Sequence, residues 1–157
     1  MHRRTPLTRR ATAAGGTVAL ALTLAGCGSN GPKPVDASPA DKASNPLCAK
    51  VSQHWPATVS NEKPRKLTTD SPTVRAWGDP AIIARCGVTS PGPTTDECVS
   101  ANNVDWVATK LSDGTRYVTY GRTPAIEILV PTKYGGWPLA AFSGAAAQIP
   151  QGSHRCS

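Results

Sequence analysis

Five cysteines, at positions 27, 48, 86, 98 and 156, constrain this 157-residue chain more than any other feature. Residues 1–10, MHRRTPLTRR, hold four arginines and no acid, and residues 11–24, ATAAGGTVALALTL, carry no charge. A basic start followed by an apolar run is the order of a bacterial export signal. The run falls short of the about 20 apolar residues that a permanent membrane helix wants, so it reads as a removable signal. Exported chains meet an oxidising environment in which cysteines pair. An odd count therefore demands a separate role for one of them.

Leu24-Ala25-Gly26-Cys27 supplies that role. It resembles the lipobox of bacterial lipoproteins, where the thiol receives a diacylglyceryl group and the peptide is cut just before it. Small residues ahead of the cysteine let the chain enter a peptidase in extended form. At about 0.8 kcal/mol per buried methylene, one acyl chain such as palmitate binds marginally and two hold a protein on a membrane. Thr8-Arg9-Arg10 also fits the start of a twin-arginine signal, but Ala11-Thr12-Ala13 lacks the usual apolar pair, which leaves the export route open.

Assigning Cys27 to lipid leaves Cys48, Cys86, Cys98 and Cys156, an even set that allows three pairings. The segment between Cys86 and Cys98 is rich in Pro, Gly and Thr and can close locally, while Cys48 and Cys156 lie near the two ends of the remaining chain. The expected bridges are accordingly Cys86–Cys98 and Cys48–Cys156, stabilising a domain by about 3 and at most about 5 kcal/mol respectively, less any strain. A metal site built from Cys98, His154 and Cys156 is the rival use, but its spacing fits no familiar zinc pattern.

Residues 1–26 form the expected signal peptide, and residues 27–44 the lipidated cysteine and a disordered tether. GSNGPKPVDASPADKAS, residues 28–44, has no aromatic and one large aliphatic residue, Val35, too little to bury a core. Residues 45–157 suffice for one domain. Losing Arg3, Arg4, Arg9 and Arg10 with the signal lowers the formal net charge from +7 to +3, no footprint for nucleic acid.

Asn45-Pro46 predicts a helix start, with Leu47, Cys48, Val51 and Trp55 on one face. The apolar stretch 73–88, TVRAWGDPAIIARCGV, reads as strand, with Trp77, Ile82 and Ile83 in the core. VDWVATKLS and TRYVTYGR flank Asp113-Gly114, the signature of a tight hairpin whose turn wants positive φ. Trp106 and Ala108 should then share a face with Tyr117 and Thr119. AIEILV, residues 125–130, is a further strand with Ile126, Ile128 and Val130 on one side and Glu127 on the other. Pro138 opens a helix presenting Leu139, Phe142, Ala146 and Ile149. The sum is an α+β domain: an antiparallel sheet of four to five strands with N- and C-terminal helices packed on one face.

Catalysis finds little support. His54 and His154 are the histidines beyond the signal, no serine sits in a Gly-x-Ser-x-Gly elbow, and Asp96-Glu97 reads as a solvated turn. No catalytic residue, metal ligand or cofactor is expected. Trp77, Arg85, Trp106, Tyr117 and Arg122 are aromatic and guanidinium groups near strand ends, of the kind that line a binding groove. The same tryptophans can instead pack the core, with arginine forks tied to backbone carbonyls, and the scarcity of large aromatics favours that second role.

Ala76-Trp77-Gly78-Asp79-Pro80-Ala81, Arg85-Cys86-Gly87-Val88, Val104 to Trp106, Gly121-Arg122-Thr123-Pro124 and Val130-Pro131 together resemble the DUF3515 family, small exported proteins of actinobacteria. The resemblance covers residues 46 to about 150. It implies a location on the outer face of the plasma membrane and carries no activity. The expectation is a lipid-anchored cell-envelope protein with no nucleic-acid partner, a non-catalytic accessory domain engaging another envelope protein. The alternative is a binder of a small solute or cell-wall fragment. A concave pocket lined by Trp and Arg would favour the second and a flat apolar patch the first.

Overall fold

Runs of β-branched and aromatic residues, broken by turn residues, become six strands: β1 (Val74–Trp77), β2 (Ile82–Val88), β3 (Glu97–Ala101), β4 (Val104–Lys110), β5 (Gly114–Thr119) and β6 (Ala125–Pro131). They form one antiparallel sheet in the order β1-β2-β6-β5-β4-β3. Strands β3 to β6 meander, and the β1–β2 hairpin adds to the free side of β6. The computed structural model describes residues 31–135 and 138–157. The stretch expected to be a signal peptide, and Cys27, lie outside the described residues.

Six strands replace the expected four to five, for two reasons. Gly78 at φ 73° and the Asp79-Pro80 step break the stretch read as one strand into the β1–β2 hairpin. Glu97–Ala101, too short and polar to stand out in the sequence, is recruited as an edge strand by β4.

Helices are few. α1 (Pro46–Ser52) starts as expected: the Asn45 side chain accepts from the Leu47 N–H at 2.9 Å, and Pro46 occupies the first turn, where no N–H is needed. At the other end a 3₁₀ turn, Pro138–Phe142, runs into α2 (Ser143–Ala146). Leu139, Phe142, Ala146 and Ile149 are all fully buried, as their spacing predicts. Among the described residues no helix is long and apolar enough to cross a membrane.

The helices cover one face of the sheet. Cys48, Val51, Leu139, Phe142 and Ile149 join Trp77, Ile82, Ala84, Cys86, Trp106, Ile126 and Ile128 in a single core. Trp77 anchors it: its indole N–H donates to the Pro56 carbonyl at 3.1 Å, and the Phe142 ring meets it edge-on with centroids 5.4 Å apart. Truncating a side chain of this size and burial costs about 3–5 kcal/mol.

The disulfides are Cys48–Cys86 and Cys98–Cys156, each with Cα atoms 5.5 Å apart. Both expected bridges, Cys86–Cys98 and Cys48–Cys156, are overturned, and strand order is the reason for the first. β2 and β3 follow each other in sequence, but β6, β5 and β4 lie between them, a separation of about 19 Å at the usual strand spacing. The two cysteines also point to opposite faces. Cys86 is paired with Ile126 on the core face, and Cys98 with Val107 on the other. One bridge thus pins α1 to β2, and the other pins the C-terminus to β3.

The stretch expected to be free tether contacts the domain well before Asn45. Val35 exchanges main-chain bonds with Lys66 and Thr68 at 2.8 and 3.0 Å, and the Lys42 N–H donates to the Gly87 carbonyl at 2.9 Å. Gly87 makes that crossing possible. It sits at φ 107°, where the β2–β6 register shifts, and a Cβ there would run into the Lys42–Ala43 main chain.

The Asp113-Gly114 signal marks a real connection between β4 and β5, but for another reason than positive φ. Leu111 donates to the Gly114 carbonyl across the turn, and Gly114 is already the first residue of β5, lying against the Val130 carbonyl where a Cβ would overlap. Among the described residues, the turns with two consecutive positive φ values are Asn102-Asn103 (46° and 62°), joining β3 to β4, and Ser60-Asn61 (49° and 63°), between the bridged Val59 and Glu62.

Candidate functional site

Strand alternation sends every second residue of β2, β6 and β5 to the face away from the helices. On that face Arg85 pairs directly across with Glu127, Glu127 with Val118, and Leu129 lies between Ile83 and Arg116. Because β6 is central, its outward residues are walled by both neighbours, and Glu127 is only 1% exposed.

A buried carboxylate is costly unless it is paired and hydrogen-bonded. Glu127 is held on both oxygens. The Arg85 Nε–H donates to Oε1 at 2.5 Å, and the Arg116 Nε–H donates to Oε2. The two guanidinium side chains remain 33% and 38% exposed. Each arginine therefore uses the inner edge of its guanidinium on Glu127, and among the described residues their terminal amino groups have no hydrogen-bond partner. Arg85 and Arg116 line a shallow hollow of about 260 Å³ with Pro39, Asp41, Val88 and Thr89. An apolar hollow of about 140 Å³ lies on the same sheet, lined by Ile83, Leu129, Pro131 and Leu111. Leu111, 43% exposed, is the large apolar side chain most open to solvent among the described residues.

Two larger hollows, of about 410 and 440 Å³, flank the 61–75 segment and share Arg65. That arginine is already committed. It donates to the Gly78 and Lys33 carbonyls at 2.6 and 2.7 Å and lies 3.7 Å from Asp79, which makes it a clasp for the N-terminal segment.

The five residues read from sequence as a possible groove are separated. Trp77 and Trp106 are fully buried in the core. Tyr117 is half-buried, packed against the same core across from Ala108. Arg122 is 7% exposed and donates through Nη1 to the Ile149 carbonyl, fastening the C-terminal turn. Burial, reinforced by Arg155 and opposed by Asp105, lowers its pKa from the ordinary arginine value. Arg85 alone reaches the open face. Arg116 and Glu127 were missed, though a signal existed: a glutamate inside an otherwise apolar central strand needs cations, and Arg85 and Arg116 occupy outward positions of flanking strands.

The histidines do not form a pair. His54 Nδ1 lies 2.9 Å from the Lys50 carbonyl at the end of α1, and His154 stacks on Tyr120 at 5.5 Å. The Cys98–Cys156 bridge occupies both sulfurs of the rival metal trio, and no group of three metal-ligating side chains gathers among the described residues.

A six-stranded antiparallel sheet, plugged on one face by short helices and clamped by two disulfides, defines a small disulfide-stabilised α+β domain. A family model described as a protein of unknown function, DUF3515, matches residues 11–153, nearly the whole chain. The protein belongs to the DUF3515 family. No curated protein and no solved structure matches it.

Proposed function

We propose that this chain is a cell-envelope lipoprotein, held to the outer face of the membrane by acylated Cys27, that engages another envelope protein without catalysing a reaction. The anchor rests on the sequence of residues 1–27. Two disulfides that use every other cysteine support an oxidising location and leave Cys27 as the one remaining thiol.

The observation that carries the docking role is the Arg85–Glu127–Arg116 cluster beside Ile83, Leu129 and Leu111. Arginine next to half-buried aliphatic side chains is the composition of protein interfaces, whose centres lose charged groups in general but retain arginine. A binder of a small solute is the second reading, favoured by the hollow between the arginines.

The test places a photo-crosslinking residue at Leu111 in the full lipoprotein in intact cells, with Ala49 on the exposed side of α1 as the comparison. The docking reading expects one protein captured from Leu111, absent from Ala49, and lost when Arg116 is changed to Glu. Identical capture from both positions contradicts it. Changing Cys27 to Ser should release the protein from the membrane fraction; retention of that variant contradicts the anchor.

A further inference from the structure

Arginine is chosen over lysine where a planar oxyanion is held by two parallel N–H bonds, because its five N–H donors form a rigid fork of that shape. An arginine that serves one carboxylate alone has this arrangement available. Arg85 and Arg116 do not use it. They share Glu127, one oxygen each and through Nε each, so neither points its outer fork at the carboxylate.

From this geometry we infer that Arg85 and Arg116 form a receptor for a single carboxylate, an acidic side chain or chain end of the partner. The inference rests on the docking face proposed above and specifies its chemistry.

Glu127 is the positioning residue. Its burial fixes its own place, and its two hydrogen bonds fix the guanidinium groups before any ligand arrives. Long, flexible arginine side chains ordinarily lose much rotamer freedom on binding, and prior orientation removes most of that cost.

Charge sets the class of ligand. Two guanidinium groups around one carboxylate leave an excess of one positive charge. Asp41, exposed at the rim of the same hollow, makes no ion pair with either arginine. A monoanion balances the two arginines and Glu127, and it meets less repulsion from Glu127 and Asp41 than a dianionic phosphate does. Val88 and Pro39 supply an apolar rim that accepts the aliphatic part of an acidic side chain. Arg65 and Arg122 lack this potential: both terminal amino groups of Arg65 already serve main-chain carbonyls, and Arg122 is buried at 7% exposure with Nη1 on the Ile149 carbonyl.

The full-length chain, labelled with ¹⁵N, is titrated with sodium acetate at constant ionic strength while the Arg85 and Arg116 Nε–H signals are followed, with acetamide as the neutral control. Acetate should shift both signals along one saturable curve and acetamide should not. Arg116→Gln should weaken the response about tenfold, the size of a lost charge-assisted hydrogen bond. Asp41→Asn, at an exposed position that does not endanger the fold, should tighten it about two- to five-fold. A linear response, an unchanged curve in the Asp41 variant, or tighter binding of inorganic phosphate overturns the inference. Saturable acetate binding with no capture from Leu111 upholds the receptor and assigns it a free carboxylate solute. Capture from Leu111 without acetate binding retains the docking face and overturns the carboxylate.

Discussion

Arg116 on β5 and Glu127 on β6 are diagonal neighbours on the sheet face away from the helices, and the arginine donates its Nε–H to a carboxylate that is 1% exposed. Arg85 completes the arrangement from the other side. The cluster gathers side chains from three strands, and its charge is set by the one that solvent does not reach.

Removing that carboxylate should be costly. Glu127→Gln leaves two guanidinium groups beside a neutral amide. A fully buried broken pair costs 3–5 kcal/mol, and the arginines' partial exposure reduces this to about 2 kcal/mol. Urea unfolding should show a lower midpoint at an unchanged slope. A variant as stable as the parent would mean that Glu127 does not depend on its partners.

The disulfide assignment is checked by peptide mapping without reduction, which should recover Cys48 linked to Cys86 and Cys98 linked to Cys156. The loops span 38 and 58 residues, so by chain entropy each bridge contributes about 4 kcal/mol less any strain. Replacing Cys98 and Cys156 together by Ser should lower stability by up to that amount and release the C-terminal residues to proteolysis first, since the bridge is their covalent tie to β3 and the variant keeps only the main-chain N–H of residue 156 on Asp105 Oδ2 at 3.1 Å.

Much of this fold is legible in the sequence where neighbours are local or alternation is strict. The Asn45 cap, the buried face following Pro138, and the facing of Trp106 with Thr119 and Ala108 with Tyr117 all follow from spacing. Strand order is a different matter. It depends on non-local pairing between β2 and β6, which local patterns do not encode, and both bridges depend on it. Glu127 shows the same division: alternation places it on the outward face, while its burial comes from strands some 11 and 42 residues away.

The two residues of the Asp113-Gly114 turn give opposite tests. Asp113→Ala should change stability by no more than about 0.5 kcal/mol, as an exposed turn residue with no special φ. Gly114→Ala should cost about 1–3 kcal/mol, because a methyl group meets the Val130 carbonyl. A large effect at Asp113 and none at Gly114 would restore the turn as the reason for the motif.

Asn103, at φ 62°, tolerates a left-handed conformation that glycine accepts without strain. Asn103→Gly should therefore hold stability level or raise it, and Asn103→Val should lower it by about 1–2 kcal/mol. Thermal unfolding of the pair distinguishes them; equal midpoints would contradict a left-handed turn between β3 and β4.

The arginine Nε–H resonances of the full-length chain, compared between the parent and Glu127→Gln, test the clamped pair most directly. Two signals displaced from the solvent-exposed arginine position and slow to exchange, both moving in the variant, are the predicted result. Arg85 and Arg116 signals that coincide with those of exposed arginines, and do not respond to the change at Glu127, would contradict the clamp and the recognition face built on it.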